Sequence, residues 1–176
     1  MKQGTGLRGQ GSEGVEPWLR GTLTEVDAVR RQVLHALELA GEDAAKWCHG
    51  LTDEEVNARP FRVAPVAFHL RHMARSLDRL MTYAEGGHLS VEQIEALGSE
   101  LLPGATVAGV LEEFRVGLDS AVERILRVGD YEAVRSVGRD RLPSTVGGLM
   151  VHCAEHTQRH VGQMVTTAQV VLGMRG

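Results

Sequence analysis

The stretch Val151-His-Cys-Ala-Glu-His-Thr-Gln-Arg-His-Val-Gly-Gln163 decides how the chain is read. It sets His152, His156 and His160 four residues apart, inside a run that otherwise has the apolar spacing of a helix. Side chains four apart on a helix stand one above the other on the same face. A row of imidazoles on a helix that packs on other helices is a natural start for a metal site.

Working outward, the neighbouring segments have the same helical period. Val26, Val29, Val33, Leu37 and Ala40 predict a first long helix, starting near a Thr24-Glu-Val-Asp27 capping box and ending at His49-Gly50. Gly41 is a candidate kink. Thr52-Asp-Glu-Glu55 caps a short turn that ends before Pro60. A second long helix is expected from Pro65 to Gly86, with Val66, Leu70, Met73, Leu77, Leu80 and Ala84 on one face. Ser90-Val-Glu-Gln93 caps a short helix to about Leu97, and Pro103 closes that excursion. Val107, Val110, Leu111, Phe114, Leu118, Ala121, Ile125 and Val128 mark a third long helix, from about Thr106 to Val128. Residues 130–142 read as a charged loop, and Ser144 as the N-cap of a fourth long helix reaching about Val171. No segment sustains a period of two. The expectation is an all-α chain, a four-helix bundle with short accessory helices and metal ligands projecting inward.

Composition agrees with one soluble domain. The chain has 176 residues, 43% of them hydrophobic and 24% charged. Only 4% are aromatic, so Leu, Val, Ala and Met must build the core. A formal charge of -4 argues against a nucleic-acid footprint. No run approaches the ~18 apolar residues of a membrane span. Lys2 and Arg8 are not followed by an apolar segment, so no signal peptide is expected. Two cysteines, Cys48 and Cys153, make no disulfide framework, which points to a cytoplasmic protein. The Arg-, Ala-, Val- and Gly-rich composition suggests a bacterial source. Residues 1–16, with five glycines among polar residues, read as a disordered tail, and 17–176 as the domain.

The histidines differ in placement. With His160 at zero on a helical wheel, His156 lies at about −40° and His152 at about −80°. Val146, Leu149, Cys153, Met164 and Val171 fall within about 40° of His160. His160 is therefore expected at the centre of the buried face, His156 just off it and His152 at the rim. The pair His156/His160 is either a ligand pair or a hydrogen-bonded core pair. On the second helix the wheel favours His69, about 70° from the apolar centre, over His72 at about 130°. His72 shares its stripe with Ser76, Arg79 and Tyr83, a polar strip that lines a pocket or faces solvent. Arg75, Arg79 and Asp78 are expected to form ordinary surface pairs. His35, His49 and His88 have no ligand spacing and are taken as surface residues, and Cys153 as a small core residue. His152-Cys-Ala-Glu-His156 spells the inverted zinc-peptidase pattern, but no Asp or Glu follows Glu155 in this sequence, and on the wheel Glu155 points away from His156 and His160.

Two segments together resemble the DinB/YfiT-like family of metal-dependent proteins: Phe68-His-Leu-Arg-His-Met-Ala-Arg-Ser-Leu-Asp-Arg-Leu80, and Glu155-His-Thr-Gln-Arg-His-Val-Gly-Gln163. The resemblance extends over most of the chain from about Pro17. It implies a four-helix bundle, often a homodimer, with a divalent metal (nickel, zinc or iron) on His72, His156 and His160. His69, His152, Ser76, Arg79, Tyr83 and Gln163 then become residues that orient a ligand or touch substrate. Characterised members of the family include thiol-dependent enzymes, such as mycothiol-dependent maleylpyruvate isomerase and bacillithiol transferases. The implied partners are a small-molecule substrate and a low-molecular-weight thiol; from their place near His72, Arg75, Arg79 and Tyr83 are candidates to steady an anionic cofactor. The reading that follows is an enzyme, a thiol-dependent transferase or isomerase, or a hydrolase. The alternatives are a non-catalytic, stress-related binding bundle whose histidines are structural, and a metal store.

Overall fold

The structure is a computed structural model and describes residues 14–175. Most of the expected tail, residues 1–16, lies outside the described residues. Four long helices carry the architecture: α1 (Ala28–Cys48), α3 (Val66–Ala84), α5 (Val107–Arg127) and α6 (Val146–Gly173). Two short ones, α2 (Asp53–Val56) and α4 (Val91–Gly98), lie in the connections. The chain is an all-α bundle, with one small antiparallel hairpin among the described residues.

Local chemistry sets the helix ends. Thr52 and Ser90 each close a reciprocal capping box, with Glu55 and Gln93 respectively. Gly50 takes φ +79° after α1, a conformation that side-chain-bearing residues rarely adopt. Two starts differ from the sequence expectation. The first long helix begins at Ala28, because the Asp27 carboxylate accepts from the Arg30 N–H (3.1 Å), while Leu23 sits at positive φ and turns the chain. The Thr24 box is not used. The last helix is capped by Thr145 rather than Ser144, its hydroxyl accepting from the Gly148 N–H at 3.0 Å. Pro65 stands at the N-cap of α3, one position before the expected one.

The expected loop over 130–142 contains structure. Strands β1 (Val134–Val137) and β2 (Leu142–Thr145) pair antiparallel, Val134 opposite Thr145 and Val137 opposite Leu142. Four residues per strand are too few to show an alternation in sequence. Gly138 and Arg141, both at positive φ, shape the turn between them.

Helix α3 packs on α5 and α6, and α1 packs on α6 and α5, so the four long helices enclose a common core. At one end of the core Leu70, Met73, Phe114 and Met164 meet; at the other, Leu37, Leu77, Met81, Ile125 and Met150. Each such side chain contributes about 1.5–3 kcal/mol by leaving water. Close helix approach depends on Gly117. A Cβ there would lie 2.8 Å from the Cβ of Ala74 on α3. Gly41 does not kink α1, which runs through it; its bare Cα instead accommodates Leu118 of α5.

Two surface expectations fail. His35 is 4% exposed, covered by the segment that leads into α1, with Nε2 3.2 Å from the Thr22 hydroxyl. The arginine strip of α3 is not a solvated face. Arg75 donates to Glu113, to the Ala96 carbonyl and to Ser99, and Asp78 pairs with Arg124 of α5. Arg79 is buried. These side chains tie α3 to α4 and α5.

Candidate metal centre

Helices α3 and α6 bring the histidines together. The buried face of α6 runs through Val146, Leu149, Met150, Cys153, Thr157, Val161, Met164, Thr167, Ala168 and Val171. That stripe is centred about 40° round the wheel from His160 and about 80° from His156. Both histidines are half-buried on its flank, so His160 is not at the centre of the apolar face. On α3, His72 is likewise half-buried at the edge of the core. Edge positions from two helices thus face one another, which neither wheel shows alone.

His72, His156 and His160 each place a ring nitrogen within 4.8 Å of the other two, an arrangement that could hold a metal ion. Nε2 of His72 lies 2.9 Å from Nε2 of His156, and the rings of His72 and His160 are 4.4 Å apart. Phe68 stacks on His72 at 5.2 Å between ring centroids.

The donor set suits a divalent cation. Burial, then the neighbouring charges of His160, His72, His152 and Arg159, pushes His156 down to about 4. His160 is also lowered to about 4, by burial first and then by His72 and Arg159. Both imidazoles are neutral at physiological pH, the state a metal requires. Nδ1 of His72 is 2.7 Å from Oε2 of Glu100, a carboxylate 5% exposed. A carboxylate only accepts, so Nδ1 carries the proton and Nε2 presents its lone pair to the cluster. Arg79 donates from Nη1 to the other Glu100 oxygen (3.1 Å) and from Nη2 to the Ser76 hydroxyl (2.9 Å). Burial alone would raise the Glu100 carboxyl, but the hydrogen bonds it accepts from His72 and Arg79, with the Arg79 charge, outweigh it and hold it below its ordinary value.

The remaining predicted residues divide between two cavities. His152, Ser76, Arg79 and Tyr83 line one of about 340 Å³ together with His72 and His156. His69 and Gln163 line another, of about 660 Å³, which none of the three clustered histidines reaches. His69 lies beside the cluster, with Nδ1 3.1 Å from Nδ1 of His160. Its burial, with His160 and His72 nearby, pushes it down to about 4. The wheel's preference for His69 over His72 was a preference for the more buried residue, not for the one in the cluster. Arg75 is held by Glu113 and lines neither cavity, and the Nη atoms of Arg79 are engaged by Glu100 and Ser76. Glu155 pairs with Arg159 at the surface and stands 3.4 Å from His152, outside the cluster, as a zinc-peptidase glutamate would not.

Glu100 escaped the sequence reading. It lies between α4 and α5, where no period assigns a face, and its one signal is an acidic side chain among Leu97, Leu101 and Leu102. The chain offers no activated thiol of its own among the described residues. Burial pushes Cys48 up to about 11 and Cys153 up to about 12. No described helix is long and apolar enough to cross a membrane.

Among curated proteins none matches this sequence. Residues 36–164 match the family model described as the DinB superfamily, a span that includes the clustered histidines, Glu100 and all of α3 and α5. With that match over most of its length, and with histidines from α3 and α6 converging on one point, the chain belongs to the DinB superfamily.

Proposed function

We propose that this protein is a metal-dependent enzyme acting on a small molecule, with a low-molecular-weight thiol or water as the attacking group. The observation that carries the reading is the convergence of His72, His156 and His160, three imidazole donors within 4.8 Å. Zinc, nickel or iron in the divalent state suits such a set. A divalent ion there acts as a Lewis acid, making a thiol or water nucleophilic near neutral pH.

The protein's own residues support that chemistry in distinct ways. Glu100 holds the His72 ring by its Nδ1–H and Arg79 holds Glu100. The cavity of about 340 Å³ beside His72 and His156 is the size of a small-molecule site. Its walls combine Leu80, Leu89 and Leu97 with the Tyr83 hydroxyl and the His152 ring, which can orient a polar substrate over an apolar floor. The raised thiols of Cys48 and Cys153 favour an external thiol over an enzyme cysteine. A homodimer in the cytoplasm is the setting we propose, on the family resemblance.

The test is metal content of the protein purified from cells, with His156→Ala and His49→Ala beside it. His49 is exposed and far in sequence from the cluster. About one equivalent of metal in the parent and in His49→Ala, lost in His156→Ala, is expected. Metal absent from the parent, or undiminished in His156→Ala, removes the reading. A second reading has one observation in its favour: His72 with His156, and His69 with His160, lie at hydrogen-bond distance from one another. In that case the histidines are a structural polar layer, and a chelator leaves the melting temperature unchanged.

A further inference from the structure

The larger cavity beside the histidines is separated from the metal ligands by His69. It measures about 660 Å³, within the range of small-molecule sites, and its walls include Phe61, Val63, Phe68 and Val170. His69 is 4% exposed and is the buried titratable side chain in this wall. Among the described residues its one side-chain hydrogen bond is the contact of Nδ1 with Nδ1 of His160.

That contact determines what His69 offers the cavity. A neutral imidazole has one N–H and one lone pair. Nδ1 of His160 faces His69, so Nε2 is the nitrogen left for a metal. A ligating nitrogen carries no proton, so a metal on Nε2 would put the His160 proton on Nδ1, to be donated to Nδ1 of His69. Nδ1 of His69 is then the acceptor, and its own proton resides on Nε2. The result is a buried N–H donor, unused by the protein, in a wall where the Thr166 and Thr167 hydroxyls donate to the Gly162 and Ala64 carbonyls and the exposed Gln163 lies at the mouth.

Two further features narrow the ligand. Arg159, at the rim, is paired with Glu155 and is no free cation for a carboxylate. Phe61 and Arg62 hold positive φ, +50° and +69°, a conformation unfavourable for side-chain-bearing residues. Phe61 is 84% exposed, so burial of its ring within the chain does not offset that strain. A ligand body packed under the ring would.

We infer that this cavity is a second binding compartment, for an uncharged small molecule with an aromatic or acyl body and a carbonyl oxygen that accepts from Nε2–H of His69. The inference rests on the metal reading in one respect, since metal on His160 sets the His69 tautomer. The compartment is distinct from the one that opens on His72 and His156.

The test uses the full chain, zinc-loaded and chelator-stripped, with zinc measured on each sample. The probes are 4-fluoroacetophenone and 1-ethyl-4-fluorobenzene, which differ at the carbonyl oxygen, titrated by fluorine NMR. The ketone should bind the zinc-loaded protein about fivefold tighter than the ethyl compound, the effect of one neutral hydrogen bond. Stripping zinc should reduce that preference. His69→Phe should abolish it while leaving the ethyl compound's affinity within about twofold. Val170→Trp, which fills the cavity, should weaken both probes. A mutation-free readout comes from imidazole nitrogen shifts, which should show His69 protonated on Nε2 in the zinc-loaded protein. Zinc bound with equal affinity for the two probes, a preference that survives His69→Phe, or a His69 proton on Nδ1 overturns the inference and leaves the metal reading standing. Failure of both probes to bind, as when a second copy of the chain covers Phe61, overturns it too. Failure of the parent to take up zinc sinks both.

Discussion

Glu100→Gln removes one charge and almost no bulk from the most enclosed ion pair beside the histidines. The carboxylate is 5% exposed and accepts twice, from His72 Nδ1 at 2.7 Å and from Arg79 Nη1 at 3.1 Å. The two donors bond different oxygens, and a glutamine amide has an oxygen at one of those places and an NH₂ group at the other, so as placed it cannot accept from both. Turned one way, its NH₂ meets His72, whose Nδ1 must become an acceptor. The His72 proton then moves to Nε2, the nitrogen 2.9 Å from His156, and blocks it as a ligand. Turned the other way, the NH₂ meets Arg79 and leaves a buried guanidinium without its carboxylate. Loss of a residue that orients a metal ligand weakens metal binding by about 10- to 100-fold, which is about 1.4–3 kcal/mol. Loss of the counter-charge to a buried arginine costs about 3 kcal/mol of folding stability. Both should be visible together: zinc affinity by competition with a chromophoric chelator at pH 7.5, and stability by urea titration of the metal-free protein. Glu100→Asp, which keeps the charge on a shorter arm, should recover part of each. Glu100→Gln with parental zinc affinity would refute the role given to this carboxylate.

Other consequences follow from particular contacts. Gly117→Ala places a methyl 2.8 Å from the Cβ of Ala74, forcing α3 from α5; it should cost about 1–3 kcal/mol in urea denaturation. Gly98→Ala, with nothing within 4 Å, should stay within about 1 kcal/mol of the parent, and equal effects at the two sites would contradict the packing argument. His69, His156 and His160 are lowered from 6.5 to about 4 in the fold, so the unfolded chain takes up their protons first. Their contribution is complete above about pH 6.5 and is lost as pH falls toward 4. The urea midpoint of metal-free protein should therefore drop between pH 7.5 and 5, and a midpoint that held or rose would count against neutral buried imidazoles. Cys48 and Cys153 are 1% and 0% exposed with raised thiols, so neither should react with a thiol reagent at pH 8 until urea is added. Rapid labelling of the native chain would show a thiol that the fold does not hide.

The helices were legible because burial repeats along them. Val110, Phe114, Ala121 and Ile125 keep the stripe of α5, and Thr52 and Ser90 announce the short helices by their capping boxes. The β1–β2 hairpin was not, since four-residue strands at the rim of a helical bundle carry no period. Single-helix reasoning also misjudged the site. It ranked residues by distance from an apolar centre, whereas the histidines that meet lie on the flanks of α3 and α6, where two helices leave room for a ligand. The pairing of His72 with His156 and His160 therefore came from family resemblance, not from the period. Glu100 and the burial of Arg79 depend on how the α4–α5 connection folds back over α3, a tertiary fact with no local signature.

The central claim is that one metal ion sits among His72, His156 and His160. Anomalous diffraction from crystals of the protein as purified, recorded on both sides of the zinc, nickel and iron edges, tests it most directly. One anomalous peak per chain is expected, bonded to Nε2 of His72 and to ring nitrogens of His156 and His160, with His69 against His160 and not on the metal. An empty cluster with the histidines hydrogen-bonded to one another, or a peak ligated by His69 in place of His72, would contradict it.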